Sequence, residues 1–271
     1  SGCVGSNGTP SQTPTVPQIQ KITVTGSTTV LPIAEKAKEA FEGKYAYADI
    51  QVSGGGSSVG VTAAGAGTAD IGMSSRDLTP EERSAYPNLV KHTIAWDALV
   101  VIVYPNNPVS HMTLAQIRGI YNGTITNWKD VSGLDQAIVV VGRDSASGTR
   151  TYLSESVMNK ENFTKKQEEF NSNGGVQQKV TQTPGAIGYV GLGYLSGVKG
   201  VNLDINGTPI QPTIENIGNG TYPLARPLYL LTKGQPAGLS KQFIDYILSP
   251  DGQQIVESVD YIPLSKIHIT G

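Results

Sequence analysis

The chain has 271 residues, with 20 basic and 22 acidic side chains and a formal net charge of −2, so without a basic field it is not expected to bind nucleic acid. Charged residues make up only 15% of the chain and glycine is abundant, which favours a folded protein with many tight turns. The sequence contains no run of about 18 apolar residues, so no membrane-spanning helix is predicted. The length suffices for two domains or one large α/β unit.

Residues 1–20 are predicted to form a flexible tether, because they are rich in Gly, Ser, Thr, Pro and Gln and contain too little apolar surface to fold. Cys3 is the only cysteine and follows two small residues in the sequence SGC. This pattern favours a lipid-attachment site at Cys3, and with it a membrane anchor and a position outside the cytoplasmic membrane. The alternative is an unmodified thiol. A lone cysteine provides neither a disulfide framework nor a Cys-based metal site.

Strands and helices are predicted to alternate in the first hundred residues. Thr28 or Thr29 is expected to cap a helix that runs to about Phe41, and Thr79 is expected to cap another, with Pro80 in its first turn. The predicted strands are 21–26, 49–53 and 69–74. Such alternation is typical of a doubly wound α/β sheet.

The alternation restarts after ALVVIVY at 98–104, an apolar run that predicts one buried strand. A second apolar run follows Arg226, so two extended strands are expected to join two α/β units and to act as their hinge. Helices are predicted from Thr113, within 142–158, at 240–248 and up to Ser258, and strands at 137–142 and 186–191. The expected division is a tether at 1–20, domain I at 21–104 plus 228–271, and domain II at 105–227.

Four loops rich in small polar residues stand out, and three of them follow a predicted strand and lead into a predicted helix. Such loops place hydroxyl groups and free backbone N–H groups at the positive end of a helix, where an anion binds. The loops are GSTTV at 26–30, GGGSSVG at 54–60, MSSRD at 73–77 and GRDSASGTR at 142–150. Because two of them also contain arginine, we expect a shared anion site rather than four unrelated helix caps.

The segment GSSVG also fits the G-x-S-x-G pattern of hydrolases, with Ser58 as nucleophile. That mechanism needs a histidine and an acid, and neither His92, His111 nor His268 lies in a suitable context. We therefore expect a binding protein and not an enzyme, with the serine hydrolase as the less favoured alternative. Neither a metal-binding motif nor a P-loop occurs, so no metal and no cofactor is expected.

As an ordered set, GSTTV, GGGSSVG, ADIGMSSRDL, TLAQIRGIYNGTITNWKDV and RDSASGTRTYL resemble the PstS family, the phosphate-binding components of phosphate-specific ABC transporters. The similarity covers about residues 21 to 265. It implies an α/β fold of the periplasmic binding protein type II kind, in which two domains close on one dehydrated phosphate ion. It also implies a membrane permease and its ATPase as partners and an extracytoplasmic location. We expect the protein to be a monomer.

The resemblance also implies which residues contact phosphate. It assigns the hydroxyl and amide of Thr28, the amide of Thr29, the Ser57 hydroxyl, the Arg143 guanidinium and the turn formed by Ser147, Gly148 and Thr149.

One departure from the family concerns Ser75, because many members have an aspartate there that accepts the proton of phosphate. Ser75 and Arg76 are still expected to contact the ligand, since a hydroxyl can accept as well as donate. Asp144 is a candidate for the missing acceptor; alternatively it only orients Arg143. Arg150 is expected to face either the ligand or a carboxylate. The departure leaves another tetrahedral oxyanion, such as sulfate, molybdate or tungstate, as an alternative ligand.

Overall fold

The computed structural model describes residues 1–3, 5 and 8–269. The strands in this part of the chain are β1 (Gln20–Gly26), β2 (Ala48–Ser53), β3 (Ile71–Ser74), β4 (Leu89–Ala98), β5 (Val100–Val103), β6 (His111–Thr113), β7 (Val139–Arg143), β8 (Glu168–Phe170), β9 (Ala186–Val190), β10 (Lys199–Ile205), β11 (Thr208–Ile210) and β12 (Ala225–Lys233). The α-helices are α1 (Leu31–Lys44), α2 (Ser57–Ala66), α3 (Pro80–Ala85), α4 (Leu114–Tyr121), α5 (Gly148–Ser156), α6 (Asn173–Gln182), α7 (Ile214–Gly218), α8 (Gly238–Leu248) and α9 (Pro250–Ser258).

The strands form two mixed sheets. The first sheet has the order β2-β1-β3-β12-β4; β1 runs parallel to β2 and β3, and β12 runs antiparallel to β3 and β4. The second sheet has the order β11-β10-β5-β9-β7-β8, with β6 beside β10. We call the parts of the chain built on these sheets the first and the second unit. The predicted α/β class, with two units joined by two strands, is confirmed.

The chain crosses between the sheets twice, and the crossings lie side by side. β4 ends at Ala98 in the first sheet and β5 begins at Val100 in the second, while the Leu99 amide donates to the carbonyl of Leu224, just before β12. The prediction of one strand over 98–104 was therefore wrong. Residues 100–103 pair with the second sheet, although the expected division placed them in domain I. An unbroken apolar run gives no sign of the crossing, because residues on both sides of it are fully buried.

The start of α1 differs from its prediction in a way that matters for the site. The cap position is Val30, and the Ser27 hydroxyl accepts hydrogen bonds from the amides of Thr29 at 3.1 Å and Val30 at 3.4 Å. Neither Thr28 nor Thr29 caps the helix with its side chain, so both hydroxyls remain available for other contacts. The predicted cap at Thr79 is confirmed; Thr79 and Glu82 form a reciprocal capping box at α3.

A shared apolar core supports both units. It includes Phe41 and Phe243 in the first unit and Tyr121, Trp128 and Tyr189 in the second, all at most 2% exposed. Each such side chain contributes about 1.5–3 kcal/mol of transfer free energy when fully buried. Among the residues that the structure describes, no helix is both long and apolar enough to cross a membrane.

Candidate functional site

Four helices, α1, α2, α5 and α6, begin around one small volume between the two units, which we call the cleft. The Ser58 amide at the start of α2 donates to the Ala146 carbonyl before α5 at 3.1 Å. The Asn173 amide at the start of α6 donates to the Thr28 hydroxyl before α1, also at 3.1 Å. Because helix starts carry unpaired N–H groups and a positive dipole end, their convergence favours an anion in the cleft.

The hydroxyls of Thr28 and Thr29 contact the second unit directly. The side-chain nitrogen of Asn173 lies 2.8 Å from Thr28 Oγ1 and 2.9 Å from Thr29 Oγ1. Thr29 Oγ1 is also 3.1 Å from Thr149 Oγ1, in the turn that opens α5. All four side chains are at most 5% exposed. The structure thus brings the hydroxyls of Thr28, Thr29 and Thr149 together.

Ser57 and Ser75 form a second pair of hydroxyls, 3.2 Å apart, and the Ser75 amide donates to Ser57 Oγ at 3.0 Å. They lie against the backbone of Gly148, where an added Cβ would collide with Ser57 Oγ and come within 2.6 Å of Ser75 Oγ. A glycine is therefore required at position 148 for the two units to approach this closely. Ser147 caps α5, since its hydroxyl accepts from the Arg150 amide at 3.0 Å.

Arg143 lies at the end of β7 and is 1% exposed. Its Nε donates to the Phe170 carbonyl at 3.1 Å and its Nη2 to the Asn171 carbonyl at 3.4 Å. Arg143 has no ion pair with any described residue, whereas Arg76, Arg150 and Arg226 each have one. Burial lowers the pKa of Arg143, and a buried cation without a carboxylate partner is the strongest single indication that an anion binds here.

Arg226 was not predicted as a site residue, yet it underlies the cleft. It faces Asp97 across β12 and β4, and its Nε and Nη2 donate to Asp97 Oδ2 at 3.0 and 2.9 Å. Nη2 also contacts Thr149 Oγ1 at 3.0 Å and Thr29 Oγ1 at 3.3 Å. Burial raises the pKa of Asp97, and the Arg226 charge opposes that shift. The ion pair thus joins β4 and β12, the strands at the two crossings. Through Thr29 and Thr149, Arg226 also contacts both sides of the cleft.

Two other predicted residues point away from this cluster of hydroxyls. The Arg76 guanidinium pairs with both carboxylate oxygens of Glu82, at 2.6 and 3.1 Å, and with the Ser58 hydroxyl at 3.1 Å, which weighs against the predicted ligand contact. Arg150 binds Glu169 at 2.9 Å and the Arg143 carbonyl at 2.7 Å. It therefore faces a carboxylate, one of its two expected partners.

Asp144 is partly buried beside Arg143, and its Oδ1 is a buried atom without a hydrogen-bond partner among the described residues. Its charge raises the pKa of Arg143, against the larger effect of burial. These facts fit an acceptor for a ligand proton and also fit a residue that orients Arg143, so both interpretations of Asp144 stay open.

The serine hydrolase alternative gains no support from the geometry. The Ser58 hydroxyl accepts from Arg76, and two of the three histidines are engaged elsewhere: His92 with Thr232 at 2.9 Å and His111 with Asp204 at 2.7 Å. Within the described ranges, no histidine is hydrogen-bonded to Ser58, and no group of three or more His, Cys, Asp or Glu side chains could hold a metal ion.

Comparison with known proteins first gives the class of protein. The sequence profile of the PBP superfamily domain matches residues 9–251. The chain is 34% identical over 256 residues to the phosphate-binding protein PstS of Bacillus subtilis (strain 168), covering 92% of this chain and 82% of that protein. It is 35% identical over 253 residues to phosphate-binding protein PstS of Borreliella burgdorferi, covering 89% of each.

A solved structure agrees with these relatives. A putative phosphate ABC transporter substrate-binding protein from Clostridium perfringens, crystallised with bound phosphate, is 38% identical and has a TM-score of 0.85, covering 90% of this chain and 100% of that one. The chain therefore belongs to the PBP superfamily and, within it, to the PstS family of phosphate-binding proteins. The fold is the PBP type II-like fold that the resemblance implied.

Sequence reasoning missed Asn173, Asp97 and Arg226 as parts of the cleft. Asn173 stands in NSNGG, a stretch that reads as a turn, although Ser172 caps α6 directly before it. Asp97 and Arg226 each interrupt an apolar run. Single opposite charges in two apolar strands indicate a buried ion pair, and this signal could have found them.

Proposed function

We propose that this protein captures inorganic phosphate between its two units and delivers it to the membrane permease and ATPase of an ABC importer. The observation that carries the proposal is the buried charge of Arg143, which pairs with no carboxylate in the described part of the chain and lies beside four helix starts. Phosphate binding by relatives that are at least 34% identical supports the choice of ion. A site of this kind binds and releases its ligand without chemical change.

In the proposed complex, Arg143 binds phosphate oxygens through Nη1, which makes no hydrogen bond within the described part of the chain. Hydroxyls of Thr28, Ser57, Ser75 and Thr149 and backbone amides at the helix starts complete the shell. The amides include those of Thr28 and Gly148, whereas the expected amide contact of Thr29 and that of Ser147 are replaced by hydrogen bonds to the Ser27 hydroxyl and the Asp144 carbonyl. We assign Arg76 and Arg150 to positioning, because their charges are paired with Glu82 and Glu169.

Ser75 bears on the choice between phosphate and sulfate. A hydroxyl can accept the proton of a phosphate ion, yet it can also rotate to donate to fully deprotonated sulfate. We therefore expect phosphate to be preferred by a smaller margin than a carboxylate at this position would produce. Sulfate, molybdate and tungstate are the competing ligands to measure.

We also propose that the protein is a monomer outside the cytoplasmic membrane, tethered by a lipid on Cys3. Cys3 is exposed and unpaired, which leaves its thiol accessible for modification. Mass spectrometry of the protein isolated from its native membrane tests whether a lipid is attached to Cys3. An unmodified Cys3 in that material would contradict the anchor but not the binding function.

The binding function is tested by calorimetric titration of the ligand-stripped protein with phosphate, with and without excess sulfate. Saturable one-site binding is expected. Removal of charge-assisted hydrogen bonds worth about 1.5–3 kcal/mol each predicts a loss of about 100-fold or more in Arg143→Ala. Arg83→Ala is the matched control, because that side chain is exposed on α3. Unchanged affinity in Arg143→Ala would contradict the site, and no binding by the unmodified protein would contradict the function.

A further inference from the structure

We propose that Asn173 and Arg226 determine the direction of the hydrogen bonds in the cleft. They oblige the hydroxyls of Thr28 and Thr149 to act only as donors, which directs a protonated phosphate oxygen to the Ser57–Ser75 pair. The inference rests on the proposed function and concerns which ionic form of phosphate the site selects.

The orientation of the Asn173 side chain follows from one contact. The Gly191 amide, which can only donate, lies 3.0 Å from Oδ1 of Asn173. The amide group is thereby fixed with its oxygen toward Gly191 and its NH₂ group toward the cleft. The two hydrogens of Nδ2 then serve Thr28 Oγ1 and Thr29 Oγ1.

Thr28 is consequently restricted to donation. Its Oγ1 receives hydrogen bonds from the backbone amide of Asn173 at 3.1 Å and from Nδ2 of the same residue at 2.8 Å. A hydroxyl has two acceptor lone pairs and one hydrogen, so both lone pairs are occupied. The only remaining hydrogen bond of Thr28 is one that it donates.

Thr149 reaches the same state through Arg226. One hydrogen of Arg226 Nη2 serves Asp97, and the other lies between Thr149 Oγ1 at 3.0 Å and Thr29 Oγ1 at 3.3 Å. Because Thr29 already accepts from Asn173 and shares this hydrogen, its own proton points to Thr149, 3.1 Å away. Thr149 then accepts twice, and its proton is donated to the ligand.

The Ser57–Ser75 pair is not restricted in this way. Ser57 Oγ accepts from the Ser75 amide, and the Ser75 hydroxyl has only Ser57 as its partner among the described residues. Ser75 can donate to Ser57 and offer a lone pair to the ligand. Arg143 and the helix amides only donate. The acceptor at Ser75 fits the single P–OH of monohydrogen phosphate, whereas dihydrogen phosphate brings a second proton that Thr28 and Thr149 cannot accept.

The expected signature is a phosphate affinity that rises with pH through the second ionisation of phosphate. The charged and titratable groups near the cleft are Arg143, Asp144, Arg226 with Asp97, Arg76 with Glu82, Arg150 with Glu169, the buried Tyr189 and Tyr261, and the partly buried Tyr152 and Tyr194. Histidine, the side chain that ordinarily titrates in this pH range, is not among these described neighbours. The pH dependence would therefore reside in the ligand.

The test compares phosphate affinity at about pH 5.5 and about pH 8.5, on either side of that ionisation. The variants are Asn173→Ala and the charge-preserving Arg226→Lys, which tests the same chain of hydrogen bonds if Asn173→Ala does not fold. In these variants the threonine hydroxyls can accept as well as donate. We therefore expect phosphate affinity to fall about tenfold at the higher pH, which corresponds to the loss of one buried hydrogen bond, and much less at the lower pH. Asn107→Ala is the control, a buried asparagine whose Oδ1 serves Val109 instead.

An equal loss at both pH values in both variants would indicate a merely structural role and overturn the inference, as would an unchanged affinity. Asp144→Asn provides a further arm. If it alone abolishes the pH dependence, the acceptor is Asp144 and the assignment to Ser75 fails. If the unmodified protein binds no phosphate, the proposed function fails and the inference fails with it. Affinity that rises with pH in the unmodified protein but less so in Asn173→Ala and Arg226→Lys supports it.

Discussion

Arg143 and Arg226 are both 1% exposed, yet their surroundings differ in one decisive respect. The charge of Arg226 is matched by Asp97, and its remaining hydrogens serve hydroxyls and the Ser75 carbonyl. Arg143 is held by two backbone carbonyls and forms no ion pair with a described residue. The charge of Arg226 is therefore satisfied within the protein, whereas the charge of Arg143 suits an anionic ligand.

The two arginines differ in that the buried charge of Arg226 is neutralised by Asp97, whereas no carboxylate of a described residue neutralises the buried charge of Arg143. An unpaired buried charge destabilises a protein, and such a group persists where binding requires it. Arg226 stabilises the place where the chain crosses between the sheets. Arg143 is the residue that we propose to bind the ligand there. Variants at these two positions should therefore respond in opposite ways.

The largest effect on stability is expected for Arg226→Met. This change leaves the Asp97 carboxylate buried without its partner, and breaking a buried pair costs about 3–5 kcal/mol. Urea denaturation measures the loss. The double variant with Asp97→Leu should recover most of it, because an apolar pair replaces the ion pair. Failure of the double variant to recover would show that the pair does more than neutralise charge.

The next largest effect concerns ligand-induced stabilisation. At a phosphate concentration of about 100 times Kd the unmodified protein should gain about 2.7 kcal/mol, visible as a raised Tm. Arg143→Met should gain nothing from phosphate, while its stability without ligand should be equal or higher, because an unpaired buried charge has been removed. A large loss of stability in ligand-free Arg143→Met would contradict the contrast with Arg226.

A smaller effect on stability is expected when Glu82, the partner of the third buried arginine, Arg76, is replaced. Burial alone would raise the pKa of Glu82, but hydrogen bonds from Arg76 and Thr79 outweigh it and the pKa is lowered. A carboxyl whose pKa is lowered on folding stabilises the protein above its ordinary pKa, and this contribution disappears as the pH falls through the lowered value.

Glu82→Gln should consequently cost about 1–2 kcal/mol at neutral pH. The difference from the unmodified protein should vanish in acid, once Glu82 is protonated in both states. Denaturation at several pH values measures this. A constant difference at all pH values would show that the ionisation of Glu82 is not the cause.

The smallest effect is expected for Arg150→Ala. Its Glu169 partner is about half exposed, and exposed ion pairs contribute about 0–1 kcal/mol. Phosphate affinity should change by less than about threefold, a fraction of the effect at Arg143. A loss comparable with that of Arg143→Ala would place Arg150 in the ligand shell.

Local signals in the sequence predicted much of this structure. Thr79, Pro80 and Glu82 act within one helix turn, so the start of α3 was predictable. The hydroxyl loops were predictable because three of the four follow a predicted strand and lead into a predicted helix. Contacts between distant segments were not. The crossing at Leu99 is hidden inside an apolar run, and Asn173 contacts Thr28 although the two residues are 145 positions apart in the sequence. The partner of Arg226 likewise depends on the register of β4 and β12.

The most direct test of the central claim is a crystal structure of the protein saturated with phosphate. We predict one phosphate ion in the cleft with an oxygen about 2.7–2.9 Å from Arg143 Nη1, the usual length of a charge-assisted hydrogen bond. The hydroxyls of Thr28, Ser75 and Thr149 should contact the same ion, and Arg226 should remain paired with Asp97. A phosphate ion bound elsewhere, or an Arg143 that turns to a carboxylate of the protein instead, would contradict the account.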